Sequence, residues 1–595
     1  MKWGGISGLL VVLVSFGTAT AGAAMLSIHE PTALTQLEAE GLSFAEVLTG
    51  QPGANNAEVV SGFGFEAVVS ALTGDLKRIA RRDPKAGVGT RFAHRLFDVR
   101  WLTSKAHRFQ LVGVINRLDR QPFAAGRCGE TRLVYRLAYT RADGLSSRLP
   151  MTVNLVYWQQ GETCDAVVER WAGHPSSEAS LARLRSADGP LSKARLERAS
   201  LKSVEVNLQS VRWPSTVHPS LGGHAEYVMR VFHPSGRRLV VAPLENTPDV
   251  ARLKARPKLK AELLAWLRDP MHRDGIARGT WLLPERFLAT KAVSVTPRGL
   301  ARLANRPFAQ LFEASDLAPD SGQREGGEHE GARTLRRLDG RTCVGCHQSR
   351  SLAGFHLPGE DPDEQTLDAL AVGRSPHFIE DQPRRLAYLE AVRLGRALGI
   401  TGDAELGRPE PARGDAERGA YDGMGARCGL PGSAFQAWTC GTGLSCGHVD
   451  DPDVGVCVNA GLGRVGEPCE PGRLRTKRRG ASDRLTLGAT RPCANGLQCE
   501  RTSVGFPGGM CADVCGGDAP DSICGAIALL TPFNQCIARG EPFTRCLAEE
   551  TRPAGLRRCD PETPCRDDYL CARVESSTGA CLPPYFLFQM RVDGH

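Results

Sequence analysis

The chain is 595 residues long, 41% hydrophobic and 24% charged, with a formal net charge of +8. The length suits about three or four domains, and the composition is that of an ordinary globular protein. The charge is mild for this length and the basic residues, mostly Arg, are scattered, which excludes nucleic acid as the expected partner. At the N-terminus, Lys2 precedes an apolar core from Gly4 to Gly17 that contains Leu9, Leu10, Val11, Val12, Leu13 and Val14. Small-x-small sites follow at Ala19-Thr20-Ala21 and Ala21-Gly22-Ala23, so residues 1–23 read as a secretory signal. The competing reading is an uncleaved anchor helix, but the run falls short of the about 20 residues a bilayer needs. No cysteine follows the cleavage region, so no lipid-modified N-terminus is expected. No later stretch is long enough to cross a membrane, and the chain is read as not membrane-spanning once the signal is removed.

Residues 24–250 are expected to form a strand-rich α+β domain. Phe65 to Ile79 has the periodicity of an amphipathic helix, weakened by Gly74. Phe109 to Ile115 reads as a buried strand, Thr131 to Tyr139 and Met151 to Trp158 as two more, and Val204 to Val211 and Tyr227 to Phe232 continue the pattern. His233-Pro234-Ser235-Gly236 reads as a turn, with Leu239 to Pro243 as the return strand of a hairpin. Cys128 and Cys164 flank the first strand pair. A disulfide between them would close a loop of roughly 35 residues and contribute about 3–4 kcal/mol. Residues 251–403 are expected to be mainly helical. Pro257 to Leu267 carries an apolar stripe with proline at its tolerated start. Leu300 to Phe312 is a helix candidate broken at Pro307, and Arg384 to Leu398 shows a helical apolar face. Asp316 to Arg333 is a polar, glycine-rich loop, and residues 404–427 read as a linker. The whole is an α+β multidomain chain: a strand-rich N-terminal domain, a mainly helical region and a disulfide-rich tail.

That tail, residues 428–595, holds sixteen of the twenty cysteines. Cys440-x5-Cys446-x10-Cys457 is echoed by Cys493-x5-Cys499-x11-Cys511 and by Cys565-x5-Cys571-x9-Cys581, each with an upstream cysteine at Cys428, Cys469 or Cys559. Three four-cysteine modules result, each held by two disulfides of unspecified connectivity. Cys515, Cys524, Cys536 and Cys546 flank a segment read as a stapled helical hairpin. The modules are similar to the Dickkopf and colipase-like disulfide modules of secreted proteins. That resemblance implies binding to a surface protein or glycan.

Cys343-Val344-Gly345-Cys346-His347 stands alone in a span with no other cysteine between Cys164 and Cys428. Two thiols three positions apart reach the two vinyl groups of one porphyrin, and the histidine that follows lies beneath the ring. With its flanks Arg341-Thr342 and Gln348-Ser349, the motif resembles the haem-attachment site of c-type cytochromes. The resemblance covers the motif and its immediate flanks only. It implies covalent haem c on Cys343 and Cys346, His347 as proximal iron ligand, electron transfer to a redox partner the sequence does not name, and export to a bacterial periplasm, cell surface or extracellular space. The remaining eighteen cysteines make an even number, as disulfides in an oxidising compartment require.

The sixth iron ligand stays open. Candidates are His356 as distal ligand or distal base, His377, Met424 if the linker folds back, or an iron left five-coordinate. Arg336, Arg337, Arg341 and Arg350 are candidate partners of the haem propionates, against the reading of a basic surface. His218, His224 and His233 match no metal-ligand spacing. Glu38, Glu40, Asp361 and Asp363 read as ordinary loop or helix carboxylates. There is no phosphate loop, nucleophile elbow or H-E-x-x-H. Two alternatives compete with electron transfer: a haem-free secreted disulfide-rich binding protein with Cys343 and Cys346 as an oxidised pair, and a haem enzyme such as a peroxidase using His356.

Overall fold

The computed structural model describes residues 25–212, 225–295, 306–318, 330–344, 357–361 and 369–395, apart from short interruptions, and parts of the tail between 427 and 582. The expected signal segment, Cys346, His347, His356, most of the linker (including Met424) and the segment from Cys515 to Cys546 lie outside the described residues.

The fold is mixed α+β, organised on one large sheet. Its strands are β1 (Ser27–Ile28), β2 (Ala86–Gly87), β3 (His94–Arg95), β4 (His107–Arg117), β5 (Glu130–Thr140), β6 (Ser146–Trp158), β7 (Leu201–Arg212), β8 (Ala225–Ser235), β9 (Arg238–Ala242) and β10 (Ala292–Val295). β4 to β9 pair antiparallel in chain order, β1 adds to β4 and β10 to β8; among the described residues the only parallel pair is β2 with β3. All six strands expected from the sequence are present, five of them longer than their apolar runs and the return strand of the hairpin shifted by one residue to Arg238–Ala242. The turn expected at His233 to Gly236 is tighter than that. β8 runs on to Ser235, opposite Arg238, so the loop is only Gly236-Arg237. Gly236 has φ +57°, which a two-residue hairpin loop accommodates at glycine.

Alternation along each strand separates two faces. The first face carries Leu133, Tyr135, Leu137, Tyr139, Leu149, Met151, Val153, Leu155, Val204, Val206 and Leu208 into the main core. The helices α1 (Pro31–Leu37), α2 (Phe44–Thr49), α3 (Asn56–Ser61), α4 (Glu66–Arg82), α5 (Cys164–Arg170) and α6 (Glu178–Arg185) cover it. α4 is the helix expected from Phe65, with Phe65 as its N-cap residue. Phe44 anchors this layer, its ring 4.2 Å from Phe109 and 5.2 Å from Tyr135, and the Tyr135 hydroxyl donates to the Leu42 carbonyl at 2.8 Å. The expected Cys128–Cys164 disulfide forms and ties the start of β5 to α5.

Beyond the sheet, α7 (Val250–Ala255), α8 (Pro257–Arg268) and α9 (Pro270–Arg278) build a separate small core around Leu263, Leu267, Trp281, Phe287 and Phe308. α8 begins at Pro257 as expected, with proline at its N-terminal turn. After Pro307 the chain makes a turn over 307–311 rather than a continuing helix. The helix expected from Arg384 starts earlier and ends earlier: α10 is Pro376–Arg393. It passes through Pro383, which forfeits one backbone hydrogen bond, and stops before Gly395 at φ +60°. Packing overrides the proline here: Phe378 is buried at one end of α10, Tyr388 and Leu389 at the other, and the Tyr388 hydroxyl meets Gln121 at 3.1 Å. Among the described residues no helix is long and apolar enough to cross a membrane.

In the tail the cysteine repeat is a structural repeat. The first module is a sheet of β11 (Arg427–Gly429), β12 (Leu444–Gly447) and β13 (Val454–Asn459). The second shows β14 (Leu497–Glu500) and β15 (Met510–Asp513). The third has β16 (Arg558–Cys559), β17 (Leu570–Arg573) and β18 (Gly579–Leu582). Cys446 lies opposite Cys457, Cys499 opposite Cys511, and Cys571 opposite Cys581. Two bonds resolve the connectivity the spacing left open. Cys428 bonds Cys446 and Cys559 bonds Cys571, so in both modules the first cysteine joins the third.

Candidate functional site

The second face of the sheet is polar, and the motif region lies on it. In β5 the residues between the core positions are Glu130, Arg132, Val134 and Arg136, all buried. Glu130 is fully buried and meets three cations. Arg132 Nη2 donates to it at 2.8 Å, Lys202 also pairs with it, and Arg120 Nε lies 3.7 Å away. Burial alone would raise this carboxyl; Lys202, Arg132 and Arg120 outweigh that and hold it well below the usual carboxylate range. Arg132 also reaches Glu205 at 3.1 Å, and Arg120 reaches Glu245 at 2.6 Å.

Glu245 begins the loop on which Cys343 rests. Leu244 N–H donates to the Ala289 carbonyl and Ala289 N–H to the Thr247 carbonyl, both at 2.8 Å, so the loop is zipped to the segment before β10. Between them Asn246 has φ +52°, a left-handed conformation that Asn tolerates better than most residues. Its buried side chain accepts from Leu283 N–H at 2.8 Å and donates to the Trp281 carbonyl at 3.3 Å. Thr247 Oγ1 accepts from the Cys343 N–H at 2.8 Å, and the Cys343 Sγ donates to the Glu245 carbonyl at 3.9 Å, a thiol's hydrogen-bonding distance. Ser294 of β10 donates to the Val344 carbonyl at 3.0 Å. The floor under this turn is apolar: Met229, Leu244, Ala292 and Val344, with Val231 and Cys343 at its rim. Cys343 is half-buried and carries its sulfur as a thiol.

The chain approaching the motif is equally fixed. Asp339 is buried and accepts from the Phe308 N–H at 2.7 Å, satisfying the turn after Pro307. Thr342, also buried, donates from its hydroxyl to the Asp339 carbonyl at 2.8 Å. Of the arginines proposed for propionates, Arg337 lies 3.5 Å from Glu330 and Arg341 is half-buried one residue before Thr342; Arg336 and Arg350 are outside the described residues.

Downstream of the motif, Leu357 to Asp361 returns to the same face. β4 has a bulge between Leu111 and Gly113 that adds Val112 to this face, where it clusters with Ile115, Val134, Leu357 and Phe378. The approach is close at Gly113, where a Cβ would stand 2.5 Å from Leu357 Cδ1 and force that side chain to shift. Asp361 is 1% exposed and held by the guanidinium groups of both Arg136 and Arg148. These arginines also donate to the Pro358 and Gly359 carbonyls at 3.0–3.3 Å, and Leu370 N–H donates to Asp361 at 3.0 Å. Asp361 is therefore no ordinary loop carboxylate. The expectation failed because its partners lie more than two hundred positions away. The third tail module joins at this point: Leu370 bridges to Ala572, and Arg573 Nη2 donates to the Asp361 carbonyl at 3.1 Å.

Glu38 also departs from the ordinary. It accepts from the Leu111 N–H at 3.0 Å beside the bulge, and burial pushes its carboxyl up to about 7. His233 lies on the second face, pushed below its usual value by burial and then by Lys202. His377 is the second residue of α10. His218, His224, Cys346, His347 and His356 lie outside the described residues, so of the haem-motif donors only Cys343 is placed. Among the described residues no three His, Cys, Asp or Glu side chains are grouped to hold a metal ion; a haem iron takes its protein donors singly. The signal for the polar face was present in the sequence, as Glu130, Arg132 and Arg136 alternate through an otherwise apolar strand. Comparison with protein families, with curated proteins and with solved structures returned no match.

Proposed function

We propose that the chain is an exported, monohaem, c-type cytochrome-like protein that passes electrons. In this reading haem c is held through thioether links to Cys343 and Cys346, with His347 as the proximal iron ligand. The observation that carries it is the C-x-x-C-H spacing of Cys343, Cys346 and His347, with Cys343 half-buried on an apolar floor. The residues present fit the group. The thiol is reachable, the floor of Met229, Leu244, Ala292 and Val344 excludes water from one side, and Arg341 stands half-buried nearby in the chain. Bound haem would supply one-electron chemistry at iron. Thr247 and Ser294 hold the backbone on both sides of Cys343, and the Asp361 clasp returns the downstream chain to the same face. Rigid support of this kind keeps ligand geometry constant between redox states.

The test is a visible spectrum and an intact mass of protein made in a host competent for haem attachment. The expected result is a haem absorbance that survives acid–acetone extraction, a mass increase of one haem, and loss of both in C343S. Protein that passes through the same host and emerges without the adduct leaves the haem-free binding reading. Carbon monoxide or cyanide binding to the purified haem protein favours the enzyme over the carrier. A spectral shift in H356A identifies His356 as the sixth ligand.

A further inference from the structure

A cleft of about 270 Å³ opens between the end of β6, α5 and the loop over residues 187–200. Its lining includes Thr131, Trp158, Gln159, Arg170, Arg195 and Ser200. Arg170 and Arg195 enter from different segments and converge on one acceptor. Arg195 Nη1 donates to the Gln160 carbonyl at 2.8 Å, and Arg170 Nη1 donates to the same oxygen at 3.3 Å. Among the described residues neither forms an ion pair with a carboxylate. Asp188 acts on Arg195 only through its field, and the buried Arg195 Nε has no hydrogen-bond partner. Two further cations bracket the Trp158 ring, Arg127 at 4.7 Å and Lys202 at 4.6 Å from its centroid. Of these, Lys202 is paired with Glu130.

This arrangement is poor as a stabilising device. Elsewhere in the sheet the chain gives its buried guanidinium groups carboxylates: Arg132 has Glu130 and Glu205, Arg136 and Arg148 have Asp361, Arg230 has Asp75. Here two half-buried guanidinium groups face one neutral carbonyl, and only the field of Asp188 acts against their mutual repulsion. A bound oxyanion would supply the missing charge, because guanidinium forks match carboxylate and phosphate oxygens. The volume is that of a small ligand, and Val167, Ala187 and Pro190 offer apolar contact to its body.

We propose that this cleft binds a small oxyanion, a carboxylate or a phosphate, clamped between Arg170 and Arg195. The site stands apart from the haem motif and does not depend on haem attachment. Titration calorimetry on the full-length protein at low ionic strength tests it, with inorganic phosphate and succinate as separate probes and sodium chloride at matched ionic strength as control. The expected result is saturable one-to-one uptake of at least one probe, weakened at least about tenfold in R170Q and in R195Q and less in R195K. Uptake of phosphate alone assigns a phosphate group, and uptake of succinate alone assigns a carboxylate. If R195Q does not fold, R170Q, whose side chain is partly solvated, carries the comparison. The proposal is overturned if neither probe binds saturably, if chloride has the same effect, or if R170Q binds like the parent.

Discussion

The two faces of the central sheet are buried by different physics. On the first face, aromatic and aliphatic side chains of β4 to β8 meet the helices, and Phe44, Phe65, Phe109 and Tyr135 interlock. Stability there comes from apolar area removed from water and is tolerant of direction. On the second face, Arg132, Arg136 and Arg148 are just as buried but are paired with carboxylates, Arg132 with Glu130 and Glu205, and Arg136 and Arg148 together with Asp361. Ion pairs of this kind return little net energy over a well-packed apolar substitute, because desolvation offsets the attraction. They do demand defined partners, and here one of them, Asp361, lies on the segment that carries the chain away from Cys343. The apolar face holds the domain together, whereas the polar face fixes where the motif region lies.

D361A breaks the polar face most directly. It leaves two buried guanidinium groups without a counter-charge, and the expected loss is about 3–5 kcal/mol in urea unfolding. F44A opens a cavity on the apolar face at a similar cost of about 3–5 kcal/mol. Hydrogen exchange separates the two: D361A should release amides over 357–361 and 369–371 selectively, F44A should not. Equal protection of those amides in both variants would mean that the clasp does not position them. The double variant C128S/C164S removes a link that touches neither clasp nor motif loop, and should cost about 3–4 kcal/mol, read as a lowered denaturant midpoint.

Glu38, at the bulge beside Leu111, gives the comparison a pH axis. Its carboxyl is pushed up from 4.5 to about 7, first by burial, against the Leu111 N–H, Arg108 and Arg136. A carboxyl raised in the fold contributes stability below pH 4.5 that is lost as pH rises through 7, to a limit of about 3 kcal/mol. E38Q keeps an acceptor for Leu111 and removes the charge, so it should gain on the parent progressively between those two pH values. A difference between the two proteins that stays constant with pH refutes the burial argument. The smallest effect belongs to G113A. The new methyl would collide with Leu357, costing about 1–3 kcal/mol, with the loss confined to docking of the 357–361 segment. L357A in the same background should recover part of it.

Much of the first face was legible from local pattern. The runs at 109–115, 131–139, 151–158, 204–211 and 227–232 all became strands, the helix from Phe65 formed, and Cys128 found Cys164. Each is a short-range signal or, for the cysteines, an arithmetic one. The second face was written as single charged letters at alternate positions of β5, which are indistinguishable from solvent-facing residues until their cover is known. Asp361 illustrates this best: it reads as a loop carboxylate because Arg136, Arg148 and Arg573 sit 225, 213 and 212 positions from it. α10 was misplaced for a related reason. Pro383 argues locally for a break, but burial of Phe378, Tyr388 and Leu389 outweighs one lost hydrogen bond.

By itself, the amino-acid sequence determined the strand periodicity, the threefold cysteine pattern and the C-x-x-C-H spacing, because each depends only on residues within a turn, a strand or a short module. Tertiary structure alone decided that the sheet is buried on both sides, that Cys343 sits on the loop after Glu245, that Asp361 is clasped, and that the third module pairs beside it. Those outcomes depend on which distant segments share a face, and a buried charge finds its partner only once the chain has folded back to supply one.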